Sequence, residues 1–226
     1  MSGKSTIWCS KHETFSPAEK NRWSLLKGLV AQAKVETREL QEGYAFRLEG
    51  DATLVANLAE WVSYESRCCP FFNFEISFHR NYGPLWLRIF GGEGVKEFVH
   101  NLTILKSPGS LAENRDSSMH ARPGPICCNS NAFTAEQKDR YAKLNERVNA
   151  ARAETKNLFD GYTYRLRDGM VSLPELAEWV LLERVCCPFL DFTIQVEQDC
   201  GTLWVTLAGI PDTVQVAQRS ELFLQE

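Results

Sequence analysis

No stretch of this 226-residue chain comes near the ~20 consecutive apolar residues that span a bilayer, so no membrane helix is expected. Five basic residues never occur in a row. With a formal charge of -4 as well, the chain has no electrostatic footing for nucleic acid. The opening "MSGKSTIWCSKHETF" lacks the apolar core of a secretory signal, and the chain reads as cytoplasmic. No Walker motif, dinucleotide fingerprint or serine elbow appears, so there is no nucleotide or flavin signal. A CxxC pair is missing too, which argues against a zinc ribbon.

Eight cysteines are present. In a reducing compartment they serve as metal ligands, redox groups or small buried apolar residues more readily than as disulfides. Six of them recur in register. At a constant offset of 118 residues Cys9 corresponds to Cys127, Cys68 and Cys69 to Cys186 and Cys187, Trp61 to Trp179 and Trp86 to Trp204. About thirty of the 83 positions from Cys9 to Gly91 are identical without a gap. That pattern reads as an internal duplication. It divides the chain into a first repeat (1–105), a linker with the composition "KSPGSLAENRDSSMHARPGP" (106–125) and a second repeat (126–226).

Each repeat predicts the order α-β-α-β-β-α, an α+β unit. Ser16, Pro17 and Glu19 form a helix-opening capping box, which Thr134 and Gln137 repeat. Trp23, Leu26, Val30, Ala33, Thr37 and Leu40 recur at helical spacing and predict one helix of about 25 residues. A strand follows ("YAFRL", "YTYRL"), then a helix from about Leu54 to Cys68. Ser172 and Glu175 supply a capping box for its counterpart. Two more strands ("FEISF" and "LWLRIF"; "FTIQV" and "LWVTLA") precede a short closing helix. A β-α-β-β run favours the strand order 1-3-2 and leaves strand 1 with an open edge. Pairing the two open edges would give one six-stranded sheet with pseudo-two-fold symmetry, a pseudo-dimer within one chain. The repeated tryptophans are expected in the core. "GGEG" (91–94) is expected to be a strand-to-helix turn, because the second repeat keeps only its first glycine.

The stretches "ESRCCPFFNF" and "ERVCCPFLDF" carry the chemistry. Glu65 and Glu183 fall on the apolar stripe of their helices, where a carboxylate needs a partner. That partner could be an arginine such as Arg47 or Arg165, or the glutamate could be a metal ligand or proton acceptor beside the thiols. Glu36 and Glu154 either face the same pocket or pair with Arg22 and Arg140. Proline pushes the residue before it out of helical geometry. Cys68 should therefore end the helix while Cys69 leaves it, so that two sulfurs share one corner. The negative end of a helix dipole disfavours a thiolate nucleophile by about 0.3–1 kcal/mol and favours a bound cation. No histidine recurs at the repeat offset, which excludes a Cys-His pair common to both repeats.

Cys9 and Cys127 are the third-ligand candidates, although 59 residues separate Cys9 from Cys68. Three thiolates, with or without the carboxylate, suit Zn(II), Cu(I) or Hg(II). The upstream cysteine, ExxCCPF, the Trp-bearing helix and the G-x-LWL strand together resemble a group of small bacterial proteins about one repeat long. The resemblance covers almost the whole chain, once per repeat. Those proteins are associated with heavy-metal resistance gene neighbourhoods, and the resemblance implies a bacterial cytoplasmic protein with no established reaction. The leading expectation is soft-metal binding at Cys9, Cys68 and Cys69 and at Cys127, Cys186 and Cys187, for sequestration, sensing or delivery. A thiol-dependent enzyme using Glu65 or Glu183 for the proton, and a structural module with packing cysteines, stay open. The partner expected is a metal ion or small molecule.

Overall fold

Ser16 opens the first helix in the predicted way. Its hydroxyl accepts from the Glu19 amide at 3.3 Å while the Glu19 carboxylate accepts from the Ser16 amide at 2.8 Å. The structure, a computed structural model, describes residues 15–102, 132–199 and 201–209. Among them are five helices and eight strands, an α+β chain. Cys9, Cys127, the 106–125 linker and the expected closing helix of the second repeat lie outside the described residues.

The chain divides into two compact units. The first takes the described residues up to Ile76, those from Leu85 to Leu102, and Gln195–Thr202. It holds α1 (Pro17–Gln32), β1 (Lys34–Glu39), β2 (Gly43–Leu48), α2 (Ala52–Cys68), most of β3 (Asn73–Phe78), β4 (Leu85–Phe90) and α3 (Val95–His100). The second takes Ser77–Pro84 with the described residues from 132 to Ile194 and from Leu203 onward. Its elements are α4 (Ala135–Ala151), β5 (Arg152–Asn157), β6 (Gly161–Leu166), α5 (Leu173–Cys186), most of β7 (Asp191–Val196) and β8 (Leu203–Ala208). Each unit thus includes a hairpin tip distant in sequence from most of its other residues.

In the first unit the strands run β1-β2-β4-β3, with the borrowed segment beyond β3; in the second they run β7-β8-β6-β5. The expected 1-3-2 order is present as β2-β4-β3. The six-stranded sheet is not, because the edge of β2 expected to be open is taken by β1, and that of β6 by β5. Helical spacing predicts one long helix through β1, and the structure has a helix followed by a strand. Ala33, Thr37 and Leu40 satisfy helical spacing, yet α1 ends at Gln32. The chain then pairs Thr37 with Phe46 and Glu39 with Tyr44 across a tight turn closed by the Leu40 amide on the Gly43 carbonyl. β-Branched Val35 and Thr37 fit a strand at least as well as a helix.

Strand alternation sets the two faces. Tyr44, Phe46 and Leu48 of β2 are buried in the core with Leu87 and Ile89 of β4, Leu26 and Val30 of α1, and Leu58, Trp61 and Val62 of α2. Arg22 braces α1 to α2 through Glu60 (Nε to Oε1, 2.9 Å), and Arg140 does the same for α4 and α5 through Glu178 at 2.7 Å. Trp61 and Trp179 are core residues as expected. Trp86 is not. It stands opposite Arg47 on the other sheet face, half-buried, with the Arg38 guanidinium 4.2 Å from its ring centre. The 91–94 segment is a turn, with Gly94 at φ 88° before α3.

Candidate functional site

Both cysteine pairs end a helix at a proline. Cys68 is the last residue of α2, and Cys69 has left helical geometry at φ -125°, ψ 71°. Cys186 ends α5, and Cys187 follows at φ -124°, ψ 66°. Before proline the backbone is steered away from the helix, which accounts for both turns. Each second cysteine still donates its amide to the glutamate carbonyl four residues back: Cys69 to Glu65 at 2.7 Å, Cys187 to Glu183 at 2.6 Å. Each then accepts from the residue three ahead, Phe72 at 3.1 Å and Leu190 at 3.2 Å. All four cysteines are buried thiols.

A second fastening was invisible in the sequence. The Pro70 carbonyl accepts from the Asp199 amide at 2.6 Å, and the Pro188 carbonyl from the Asn81 amide at 2.5 Å. Asp199 and Asn81 sit at φ 68° and 54°, left-handed backbone that Asn and Asp tolerate best after glycine. The borrowed hairpin tips thereby cap the cysteine corners of the units they join. Further bonds secure the tips. Asn73 Oδ1 accepts from the Gln198 amide (3.0 Å), and Asp191 Oδ1 accepts from the Arg80 amide (2.7 Å). In the second unit Arg184 lies over the rings of Phe78 and Tyr82 and donates to the His79 carbonyl at 3.1 Å.

Glu65 and Glu183 are 2 % and 5 % exposed, one helical turn before the thiols. Arg47 and Arg165 are not their partners. Arg47 lies between core-facing Phe46 and Leu48, so its side chain points to the opposite sheet face. There its Nε meets Glu36 at 3.0 Å and its Nη1 meets Glu49 at 2.7 Å. Arg165 meets Glu154 there at 3.2 Å. Glu36 and Glu154 therefore face away from the thiols, and they do not pair with Arg22 or Arg140. The Arg38 and Arg47 bonds hold the Glu36 carboxyl below the usual carboxylate range.

The buried glutamates are met instead from the first helix of each unit. Trp23 Nε1 donates to Glu65 Oε1 at 3.0 Å, and the Tyr141 hydroxyl donates to Glu183 Oε1 at 2.7 Å. Trp23 and Tyr141 occupy equivalent positions. The available signal is two aromatic types that share only size and a polar donor; helical spacing alone places Trp23 on the apolar stripe. The units differ again one turn on. Trp179 Nε1 donates to Asn145 Oδ1 at 3.3 Å, whereas Trp61 Nε1 has no partner among the described residues, Lys27 standing in the place of Asn145.

The upstream cysteines are outside the described residues, and Phe15 and Phe133 are described aromatics downstream of them. Phe15, six residues after Cys9, meets the Tyr64 ring edge-on at 5.4 Å. Phe133, six residues after Cys127, stacks on Tyr141 at 5.1 Å. Six residues of extended chain reach up to ~20 Å. Among the described residues no group of three or more His, Cys, Asp and Glu side chains is placed to hold a metal ion, so Glu65, Cys68 and Cys69 do not by themselves form a finished set of ligands. No described helix is long and apolar enough to cross a membrane. No family model, no curated protein and no solved structure matches this chain.

Proposed function

We propose that the chain is an internal duplication whose halves each bind one soft metal ion of the Hg(II), Cu(I) or Zn(II) type. Cys68 and Cys69 would hold it in the first half and Cys186 and Cys187 in the second, with Cys9 and Cys127 as the third thiols. The observation that carries this reading is the burial of one carboxylate and two thiols within a single turn at a helix C-terminus, in both halves. The negative end of the helix dipole favours a cation there and opposes a thiolate nucleophile. Adjacent thiols turned out of register by proline suit a thiophilic ion. Metal binding would release the thiol protons. Glu65 and Glu183, held by Trp23 and Tyr141, offer a carboxylate within one turn to complete the ligand set or accept a proton.

Equilibrium dialysis of the reduced protein against Hg(II) tests the assignment. Cys68→Ser and Cys186→Ser should each lose one equivalent, while Glu65→Gln keeps full stoichiometry. If Cys→Ala changes leave the stoichiometry intact and alter only stability, the cysteines are packing residues. Loss of turnover on Glu65→Gln with binding retained would instead favour an enzyme.

A further inference from the structure

The two thiol corners are closed differently. In the first unit Arg67, one residue before Cys68, lies 5.0 Å from the Phe15 ring centre and 5.9 Å from that of Tyr64. Both of its terminal nitrogens donate to Glu19 Oε1 at 3.2 Å. These contacts tie the entrance of α1 to the last turn of α2. The second unit has Val185, Leu182 and Gln137 where the first has Arg67, Tyr64 and Glu19. Gln137 keeps the helix cap, with its Oε1 accepting from the Thr134 amide at 2.9 Å, but this set can form neither the ion pair nor the cation–π contact. The thiols follow the same asymmetry: Cys68 and Cys69 are 1 % and 0 % exposed, Cys186 and Cys187 8 % and 3 %.

We propose that the Arg67–Glu19–Phe15 latch sets the order in which the two thiol pairs meet a soft electrophile, with Cys186 and Cys187 reacting before Cys68 and Cys69. As a statement about loading order this rests on the metal-binding reading above; the accessibility on which it depends does not. A reagent reaches the first pair only when the entrance of α1 lifts from α2. That motion breaks one surface ion pair and one cation–π contact, which together support a rate ratio of about tenfold. The second pair lacks this restraint on its first helix; its own arginine, Arg184, holds Phe78, Tyr82 and the His79 carbonyl of the hairpin tip and leaves the entrance of α4 untied. Arg67 acts here as a positioning residue, not a ligand.

Timed iodoacetamide labelling of the reduced, metal-free full chain, resolved by peptide mass spectrometry, measures the two pairs separately. The second pair should label about ten times faster than the first. Arg67→Val should bring the first pair to within about twofold of the second without moving the second. Glu19→Gln removes the ion pair while keeping the kind of cap Gln137 provides, and should shift the first pair in the same direction by a smaller factor. Equal rates in the native chain, or an unchanged ratio in both variants, would overturn the latch. If Arg67→Val unfolds and both pairs label fast, the Glu19→Gln ratio decides. Hg(II) stoichiometry on the same samples separates the two ideas. Two equivalents with equal labelling overturn the order alone, and no binding with unequal labelling overturns the metal reading alone.

Discussion

Trp23→Phe is expected to destabilise the protein by about 3 kcal/mol, and Trp23→Tyr by about half that or less. Phenylalanine removes the indole N–H that Glu65 accepts at 3.0 Å in a buried setting. Taking one partner from a buried polar group costs about 1–3 kcal/mol, more when the group is charged, and the smaller ring adds a packing loss. Tyrosine also leaves a smaller ring but brings a hydroxyl, and Tyr141 makes the same kind of bond to Glu183 at 2.7 Å. Urea unfolding followed by far-ultraviolet circular dichroism separates these outcomes without depending on the lost indole signal. Coincident midpoints for the two variants would show that the hydrogen bond contributes nothing and that Trp23 acts by volume alone.

Gly43→Ala should cost at least about 3 kcal/mol, and Gly161→Ala a similar amount. A β-carbon on Gly43 would collide with the Ile89 carbonyl oxygen and lie 2.8 Å from the Phe90 α-carbon; on Gly161 it would collide with the Leu207 carbonyl oxygen and lie 2.9 Å from the Ala208 α-carbon. Those neighbours are backbone atoms of the paired strand, so relief requires β2 to part from β4, or β6 from β8. Gly28 is the internal control. It lies inside α1 with nothing within 4 Å of its would-be β-carbon. Gly28→Ala should therefore stabilise by about 0.5–1 kcal/mol through helix propensity. Thermal unfolding of the three variants checks the contrast. A Gly43→Ala protein as stable as Gly28→Ala would mean that the strands do not approach as closely as described.

How much of this was readable in advance depended on how local the cause was. Capping boxes at Ser16, Thr134 and Ser172 involve residues three apart, and all three are formed. The proline-driven exit of Cys69 and Cys187 is equally local. β1 was lost because a six-residue strand with helical spacing of its apolar positions is decided by its partner β2, not by its own composition. The wrong partner for Glu65 has the same origin. Arg47 is close in sequence pattern, but strand alternation turns it to the far face, while the true donor comes from α1, forty-two positions back. The caps on Pro70 and Pro188 come from more than a hundred residues away, and no spacing rule connects Asp199 to Pro70. Such pairings depend on which corner each hairpin tip reaches, and the strands of those hairpins, though legible as strands, do not encode that locally.

Each half, in this proposal, holds one soft metal through its cysteines. Its most direct test is a Hg(II) titration of anaerobically reduced protein, followed by sulfur-to-metal charge-transfer absorption with thiols counted at each step. Saturation near two equivalents with six thiols protected is the expected result. If no charge-transfer band appears below micromolar metal and the buried thiols stay unreactive until the protein unfolds, the cysteines are core residues and the claim is wrong.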